Sequence, residues 1–146
     1  MAAALEAVSF VVDENLLRLG RALALLRRDV VLVGEDPVAD LLPRGVLDSE
    51  WIPMVGDRGW IMITNDRRPR TRPVEAELCV KHNLKVINLH GRVGNQAPWD
   101  QAVRLLSRWE GIAQQIAAKP DGPWWLSVQP TQVRVLRYEP GGIERI

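Results

Sequence analysis

The sequence predicts an α/β domain with a mostly parallel central sheet. Short runs of apolar and β-branched residues alternate with segments of helical periodicity, and the runs are apolar along their whole length. Strands of this kind are buried on both faces, as in a parallel sheet that helices cover on each side. The length of 146 residues fits one domain, so we expect a single unit over 1–146.

The first half of the chain predicts three strands separated by helices. The apolar runs stop at acids or at glycine, Asn15 is placed to cap the first helix, and Pro37, Pro43 and Gly45 indicate a loop. Pro53 is expected to limit or bend the second helix. In chain order the elements are strand 8–12, a helix from about residue 15 with an apolar stripe at Leu16, Leu19, Leu23 and Leu26, strand 30–33, loop 34–47, helix 48–57 and strand 60–64.

The second half predicts one more strand of the parallel kind, a long helix and a C-terminal hairpin. Pro73 suits the first turn of a helix, and a turn near 130–131 joins two strands that can add an antiparallel edge. The predicted elements are a basic loop over 67–73, helix 73–82, strand 85–89, a Gly/Pro loop over 91–98, helix 99–118 with an apolar side of Trp99, Val103, Leu106, Ile112 and Ile116, and strands 124–128 and 133–138.

The overall charge excludes some functions and hides an asymmetry. The formal net charge is +1, which is too small for a polycation that binds nucleic acid through total charge alone. Residues 1–60 nevertheless carry ten acids and six bases, whereas 61–146 carry eight acids and thirteen bases. The lone Cys79 excludes an internal disulfide framework. Residues 1–12 lack a basic start and no apolar run approaches membrane-spanning length, so we expect a cytoplasmic protein with no membrane contact.

Acidic side chains follow two of the predicted strands. Asp13 comes directly after the first strand, and Asp66 follows the third. Asp48 begins the helix between them, so all three are expected at the carboxyl edge of the sheet, where α/β proteins bind ligands. Converging carboxylates repel each other unless a cation lies between them, and Mg²⁺ or Mn²⁺ prefers oxygen ligands. Each of these acids, taken alone, also fits a purely structural role. Asp13 fits a turn residue, Asp48 fits a helix cap and Asp66 fits the start of a loop.

Four arginines directly follow the last of these acids. Arg67, Arg68, Arg70 and Arg72 lie within six residues, beside the expected acidic edge. Guanidinium groups match phosphate oxygens, so this segment is predicted to bind a phosphodiester backbone. The alternatives are a solvated basic loop or a salt-bridge partner for the acidic segment 34–50.

Three stretches of the sequence together resemble a PIN-like domain, in the branch that includes VapC-type toxins of toxin–antitoxin pairs. They are Phe10-Val11-Val12-Asp13-Glu14-Asn15-Leu16, Asp48-Ser49-Glu50-Trp51 and Gly59-Trp60-Ile61-Met62-Ile63-Thr64-Asn65-Asp66-Arg67. The resemblance covers about residues 8–90, leaving a C-terminal helix and hairpin over 91–146. It implies a three-layer α/β/α fold, an endoribonuclease that uses Mg²⁺ or Mn²⁺, an RNA substrate and a cognate antitoxin that blocks the site.

Carried over by position, the resemblance makes Asp13, Asp48 and Asp66 the acids around the metal. The sequence departs from the usual PIN pattern after Asp66, where a further acid is expected and Arg predominates; only Glu75 or Glu77 is available there. The number of metal ions, and any part taken by Glu14 or Glu50, stays open. The sequence also does not decide between a monomer and a homodimer.

Two other classes of function compete with a nuclease. A receiver-like phosphorylation switch also needs acids after its first and third strands. It further needs a Lys after the last parallel strand. The only Lys downstream of Leu89 is Lys119, at a helix end, which argues against such a switch. A catalytically weak RNA- or protein-binding module needs only the Arg segment and tryptophan-rich surfaces. Binding of a divalent cation separates this module from the nuclease.

Overall fold

The computed structural model describes residues 2–89 and 97–141. The predicted loop over 91–98 therefore lies mostly outside the described residues. The strands are β1 (Phe10–Val12), β2 (Val30–Leu32), β3 (Ile61–Thr64), β4 (Lys85–Leu89), β5 (Trp124–Val128) and β6 (Val133–Leu136). The helices are α1 (Ala2–Glu6), α2 (Leu17–Leu26), α3 (Asp48–Asp57), α4 (Arg68–Thr71), α5 (Pro73–Lys81), α6 (Pro98–Ser107) and α7 (Trp109–Ala118), and a 3₁₀ turn over Glu14–Leu16 precedes α2.

The sheet confirms the predicted α/β class and adds the strand order. In the described residues its order is β2-β1-β3-β4-β5-β6, with β1 to β5 parallel and β6 antiparallel to β5. From β1 the chain continues to β2, which pairs with one side of β1. It then returns to form β3, which pairs with the other side of β1. The order therefore reverses between β1 and β3, and the crevice outside such a reversal is where open α/β sheets bind ligands.

Both faces of the sheet are buried, as the continuous apolar runs predicted. Alternate residues of β1 face opposite ways, so that Phe10 and Val12 join one apolar cluster and Val11 joins the other. Helices α2, α6 and α7 cover the first face, and the 34–47 loop with α3 and α5 covers the second. The covering side chains on the two faces are Leu19, Leu23, Leu105 and Ile112, and Val38, Leu42, Ile52, Val55 and Cys79. Complete burial of each Leu or Ile stabilises the fold by about 1.5–3 kcal/mol.

The prediction of one long helix over 99–118 was wrong, because the helix breaks at Arg108 into α6 and α7. Arg108 has φ −102° and ψ 6°, outside the helical range. The break changes the phase of the helix, so one apolar stripe cannot face the sheet along its whole length. Helix α6 buries Gln101 and Leu105 instead, and leaves exposed three residues assigned to the apolar side, namely Trp99, Val103 and Leu106.

Two local predictions in the first half of the chain also need correction. Asn15 does not cap the first helix; its side-chain amide donates to Oδ1 of Asn65 at 2.6 Å. The segment 67–73 was predicted as a loop, but α4 forms one helical turn within it, with Pro69 in that first turn. Proline suits this position because it has no N–H to leave unpaired.

The segment after β6 fastens the C-terminal part of the chain to the sheet. The hydroxyl of Tyr138 lies 2.7 Å from the carbonyl oxygen of Leu84 and 3.1 Å from that of Trp124. Its ring meets Trp125 edge-on, with the ring centroids 6.0 Å apart. Among the residues that the structure describes, no helix combines the length and the apolar character needed to cross a membrane.

Candidate metal and nucleic-acid site

Three aspartates from separate elements line one cavity at the carboxyl edge of the sheet. Asp13 follows β1, Asp66 follows β3 and Asp48 lies in the first turn of α3. The cavity has a volume of about 280 Å³ and lies at the reversal of strand order between β1 and β3. Asp13, Asp48 and Asp66 therefore all line the same cavity.

Thr64 holds the Asp13 carboxylate in place through a hydrogen bond. The buried hydroxyl of Thr64 donates to Oδ2 of Asp13 at 2.7 Å and accepts the backbone N–H of Asp66 at 3.1 Å. Burial raises the pKa of Asp13 above its ordinary value, and the charges of Asp66 and Glu14 raise it further. The hydrogen bond from Thr64 opposes this shift only in part. Asp13 is thus a carboxylate whose negative charge is incompletely balanced by its surroundings.

The pKa of the Asp66 carboxylate is shifted in the opposite direction. Burial on its own raises the pKa of Asp66, but hydrogen bonds from Arg68 and the charges of Arg68 and Arg72 outweigh it and lower the pKa. Nε and Nη2 of Arg68 donate to the two carboxylate oxygens at 2.9 and 2.8 Å. The side-chain amide of Asn88, buried in β4, donates to the carbonyl oxygen of Asp66 at 3.1 Å. Asp66 therefore stays ionised and is held at both its backbone and its side chain.

Asp48 does not act as a helix cap. The capping position is Leu47, and no side chain caps α3 there. Oδ1 of Asp48 instead accepts the indole N–H of Trp51 at 2.7 Å. Trp51 also lines the cavity, so both partners of this hydrogen bond belong to its wall.

The neighbouring glutamates differ in their placement. Both carboxylate oxygens of Glu14 accept the backbone N–H of Gly45, at 3.0 and 3.1 Å, which ties the end of β1 to the 34–47 loop. Glu14 lines the cavity, whereas Glu50, Glu75 and Glu77 lie outside its lining. The further acid that the PIN pattern places after Asp66 is therefore not supplied to the cavity by α5.

Thr64 and Asn88 were not predicted as site residues, although the sequence holds a signal for each. Both are polar residues within otherwise apolar strands, and both are almost fully buried, each with 1% of its surface exposed. A buried polar side chain requires a hydrogen-bond partner, and here the partners are the site aspartates. A polar residue near the carboxyl end of a buried strand thus indicates the same place as the acids that follow it.

The donor set fits a divalent cation by its chemistry. The cavity offers carboxylate and amide oxygens, which hard cations prefer, and neither Cys nor His is among its lining residues. The incompletely balanced charge of Asp13 also favours a cation there. Within 2–89 and 97–141, however, no three His, Cys, Asp or Glu side chains are grouped closely enough to hold a metal ion as they stand. The cation that Asp66 contacts in this structure is Arg68.

The four arginines of the basic segment have different surroundings. Arg67 and Arg72 are exposed, and Arg68 is paired with Asp66 while 61% of its side chain stays exposed. Arg70 is turned towards the C-terminal segment: its Nη1 donates to the carbonyl oxygen of Arg137 at 3.0 Å and lies 3.8 Å from Oε1 of Glu139. Among the described residues, no ion pair joins these arginines to the segment 34–50.

The buried thiol of Cys79 contacts the basic segment. Its Sγ lies 3.6 Å from the carbonyl oxygen of Pro69, to which the thiol donates. Burial, together with the charges of Asp48 and Glu75, raises the pKa of Cys79 to about 12. The thiol is therefore protonated at neutral pH and packs as a small apolar group.

Comparison with known proteins agrees with this geometry. A family model described as a PIN like domain matches residues 8–91, which include β1 to β4 and all three cavity aspartates. No curated protein and no solved structure matches the chain. PIN domains have a nuclease-type fold and are generally nucleases. With more than half of its length matched, and with the acids at the reversal of strand order, the chain belongs to the PIN-like domain family.

Proposed function

We propose that this protein is an endoribonuclease that hydrolyses RNA phosphodiesters with the help of Mg²⁺ or Mn²⁺. The observation that carries the proposal is the convergence of Asp13, Asp48 and Asp66 on one cavity of a PIN-like domain. The three acids come from three separate elements, and each has its own hydrogen-bond partner. Their chemistry fits a divalent cation, which is what family members typically use.

Each cavity residue has a proposed role. Asp13 and Asp66 would hold the cation, and Asp48 would contact it directly or through a water. When bound, a divalent cation would activate water as a nucleophile and stabilise the charge on the phosphate oxygens. Thr64 keeps the Asp13 carboxylate in place, and Asn88 keeps the backbone of Asp66 in place.

The basic segment is the proposed contact for the RNA backbone. Arg67, Arg68 and Arg72 are exposed beside the acidic cavity, where guanidinium groups can pair with phosphate oxygens. Arg70, which the sequence places in the same set, is engaged with the C-terminal segment and is proposed to support the others by fixing α4.

We also propose that the protein acts in the cytoplasm as the toxin of a type II toxin–antitoxin pair. The resemblance of the three stretches quoted above supports this role and implies a cognate antitoxin. Helix α6 supports a protein partner, because Trp99, Val103 and Leu106 lie at helical spacing and are 77%, 49% and 51% exposed. A homodimer would cover the same apolar surface.

The proposed chemistry predicts a large effect of Asp66→Asn on RNA cleavage. The purified protein, free of any partner, is expected to cleave single-stranded RNA with Mg²⁺ or Mn²⁺ and to stop when EDTA is added. Loss of one ligand should lower the cleavage rate on the order of a thousand-fold, because metal catalysis is worth several kcal/mol. Gel analysis of a labelled RNA over time gives the rate.

Asp57→Asn is the matched control for this experiment. Asp57 lies at the far end of α3, outside the cavity, and pairs with Nδ1 of His82 at 2.7 Å. This variant should cleave RNA at the wild-type rate. Cleavage that persists in EDTA or in Asp66→Asn contradicts the assignment. RNA binding without divalent binding or cleavage favours the RNA-binding module.

A further inference from the structure

Arg68 occupies the electrostatic position that a bound cation would have. Its fork engages both oxygens of Asp66, and its backbone N–H also donates to Oδ1 at 3.0 Å. The Asp66 side chain is only 19% exposed, so its carboxylate has little free surface for another cation. A metal ion can gain full access to Asp66 only if the guanidinium of Arg68 leaves.

The other two aspartates of the cavity also act on Arg68. Asp48 and Asp13 both interact electrostatically with its guanidinium. Arg68 thus balances part of the charge of the whole cavity rather than one partner alone. It does so from the rim, since 61% of its side chain is exposed.

A phosphate group competes for the same fork. Guanidinium binds phosphate and carboxylate in the same bidentate geometry, so exchange of one for the other costs Arg68 no hydrogen bonds. A phosphodiester that enters beside the cavity meets the exposed side of this group. Movement of the Arg68 side chain onto the phosphate would release both oxygens of Asp66 from the guanidinium, so that they could act as ligands.

We propose that Arg68 is the resident cation of the acidic cavity and exchanges Asp66 for an RNA phosphate, so that RNA and a divalent cation bind cooperatively. This inference rests on the proposed ribonuclease function. Each ligand favours the arrangement in which Arg68 and Asp66 are apart. Linkage then requires that each ligand raise the affinity for the other by the same factor.

Calorimetric titration with Mn²⁺ tests this coupling without a measurement of activity. The probe for RNA is a single-stranded 2′-O-methyl octanucleotide, checked on a gel after each titration to be intact. In the wild-type protein the oligonucleotide should tighten Mn²⁺ binding by about five-fold or more, the usual size of such couplings. Arg68→Ala should bind Mn²⁺ about that much more tightly without the oligonucleotide, and the oligonucleotide should then have no further effect on its Mn²⁺ affinity.

Arg28→Ala is the control for simple loss of positive charge. Arg28 is exposed between α2 and β2, at the edge of the sheet opposite the cavity, and it does not line the cavity. Its removal should change Mn²⁺ affinity less than two-fold and leave the coupling intact. Equal effects of Arg28→Ala and Arg68→Ala overturn the inference, as does a wild-type Mn²⁺ affinity that does not change when the oligonucleotide is added.

The outcomes separate this inference from the proposed function. Absence of Mn²⁺ binding in both the wild-type protein and Arg68→Ala overturns the inference. Metal-dependent cleavage together with uncoupled binding contradicts the role of Arg68 and leaves the nuclease standing. Coupled binding without cleavage contradicts the nuclease and leaves the exchange of Arg68 standing.

Discussion

Asp13→Asn is expected to abolish metal-dependent RNA cleavage and, at the same time, to stabilise the fold. The amide keeps the shape of the side chain and can still accept the hydrogen bond from Thr64. It lacks the negative charge that a divalent cation needs, so the cleavage rate should fall on the order of a thousand-fold or more. A cleavage assay and a thermal melt of the same preparation measure both effects.

The gain in stability follows from the direction of the Asp13 pKa. Folding raises this pKa above 3.8, mainly through burial, so the folded state favours the protonated carboxyl. The stability from that preference is fully present below the ordinary pKa and is lost as pH rises through the raised value. At neutral pH the wild-type protein therefore carries a buried-charge cost that the amide avoids. Each 1 kcal/mol recovered should raise the Tm by roughly 2–4 °C.

The pH dependence of this difference provides the internal test. The Tm gap between Asp13→Asn and the wild-type protein should narrow as the pH falls towards about 4, where the carboxyl becomes protonated. Asp40→Asn, a charge change on the exposed part of the 34–47 loop, should leave both cleavage and Tm near their wild-type values. A variant Asp13→Asn that unfolds, or that cleaves RNA normally, contradicts the description of this site.

Tyr138→Ala is expected to cause the largest loss of stability among single changes in the C-terminal segment. The variant loses the edge-on contact with Trp125 and leaves the carbonyl oxygens of Leu84 and Trp124 without the hydroxyl. Truncation of a large, partly buried aromatic side chain costs about 3 kcal/mol. The corresponding fall in Tm is on the order of 10 °C, measurable by thermal melting.

The same change should also weaken RNA binding. The backbone N–H of Glu139 donates to the carbonyl oxygen of Arg70 at 2.9 Å, and Arg70 donates back to Arg137. Release of this segment would therefore free α4 from one of its supports. Val135→Ala is the control, since Val135 lies on β6 and is 53% exposed. Its free energy of unfolding should stay within about 0.5 kcal/mol of wild type, and an equal loss in both variants would refute the special role of Tyr138.

The strands and the acidic edge were predictable because each depends on a local pattern. Runs such as Trp60-Ile61-Met62-Ile63 are apolar throughout, which indicates burial on both faces, and the acids follow such runs within a few residues. The order of the strands was not predictable, because no local pattern states on which side of β1 the next strand will pair. That order decides which strand ends become neighbours.

The phase of α6 and the pairing of Arg68 escaped prediction for a different reason. Periodicity through 99–118 suggests one continuous helix, and a single residue at the break, Arg108, is enough to turn the first half. Likewise, the spacing of Asp66 and Arg68 in sequence does not say that their side chains meet. The pair forms because α4 begins at Arg68, which places the guanidinium of Arg68 against the carboxylate of Asp66.

The reactivity of the buried Cys79 thiol reports on motion in the basic segment. Its thiol is the only one in the chain, it is covered completely, and it is bonded to the carbonyl of Pro69 in α4. A thiol-specific reagent can react only when the packing around Cys79, which includes α4, opens and the group is solvated. The labelling rate therefore includes the opening of the segment, and it should slow when an RNA oligonucleotide holds α4 closed.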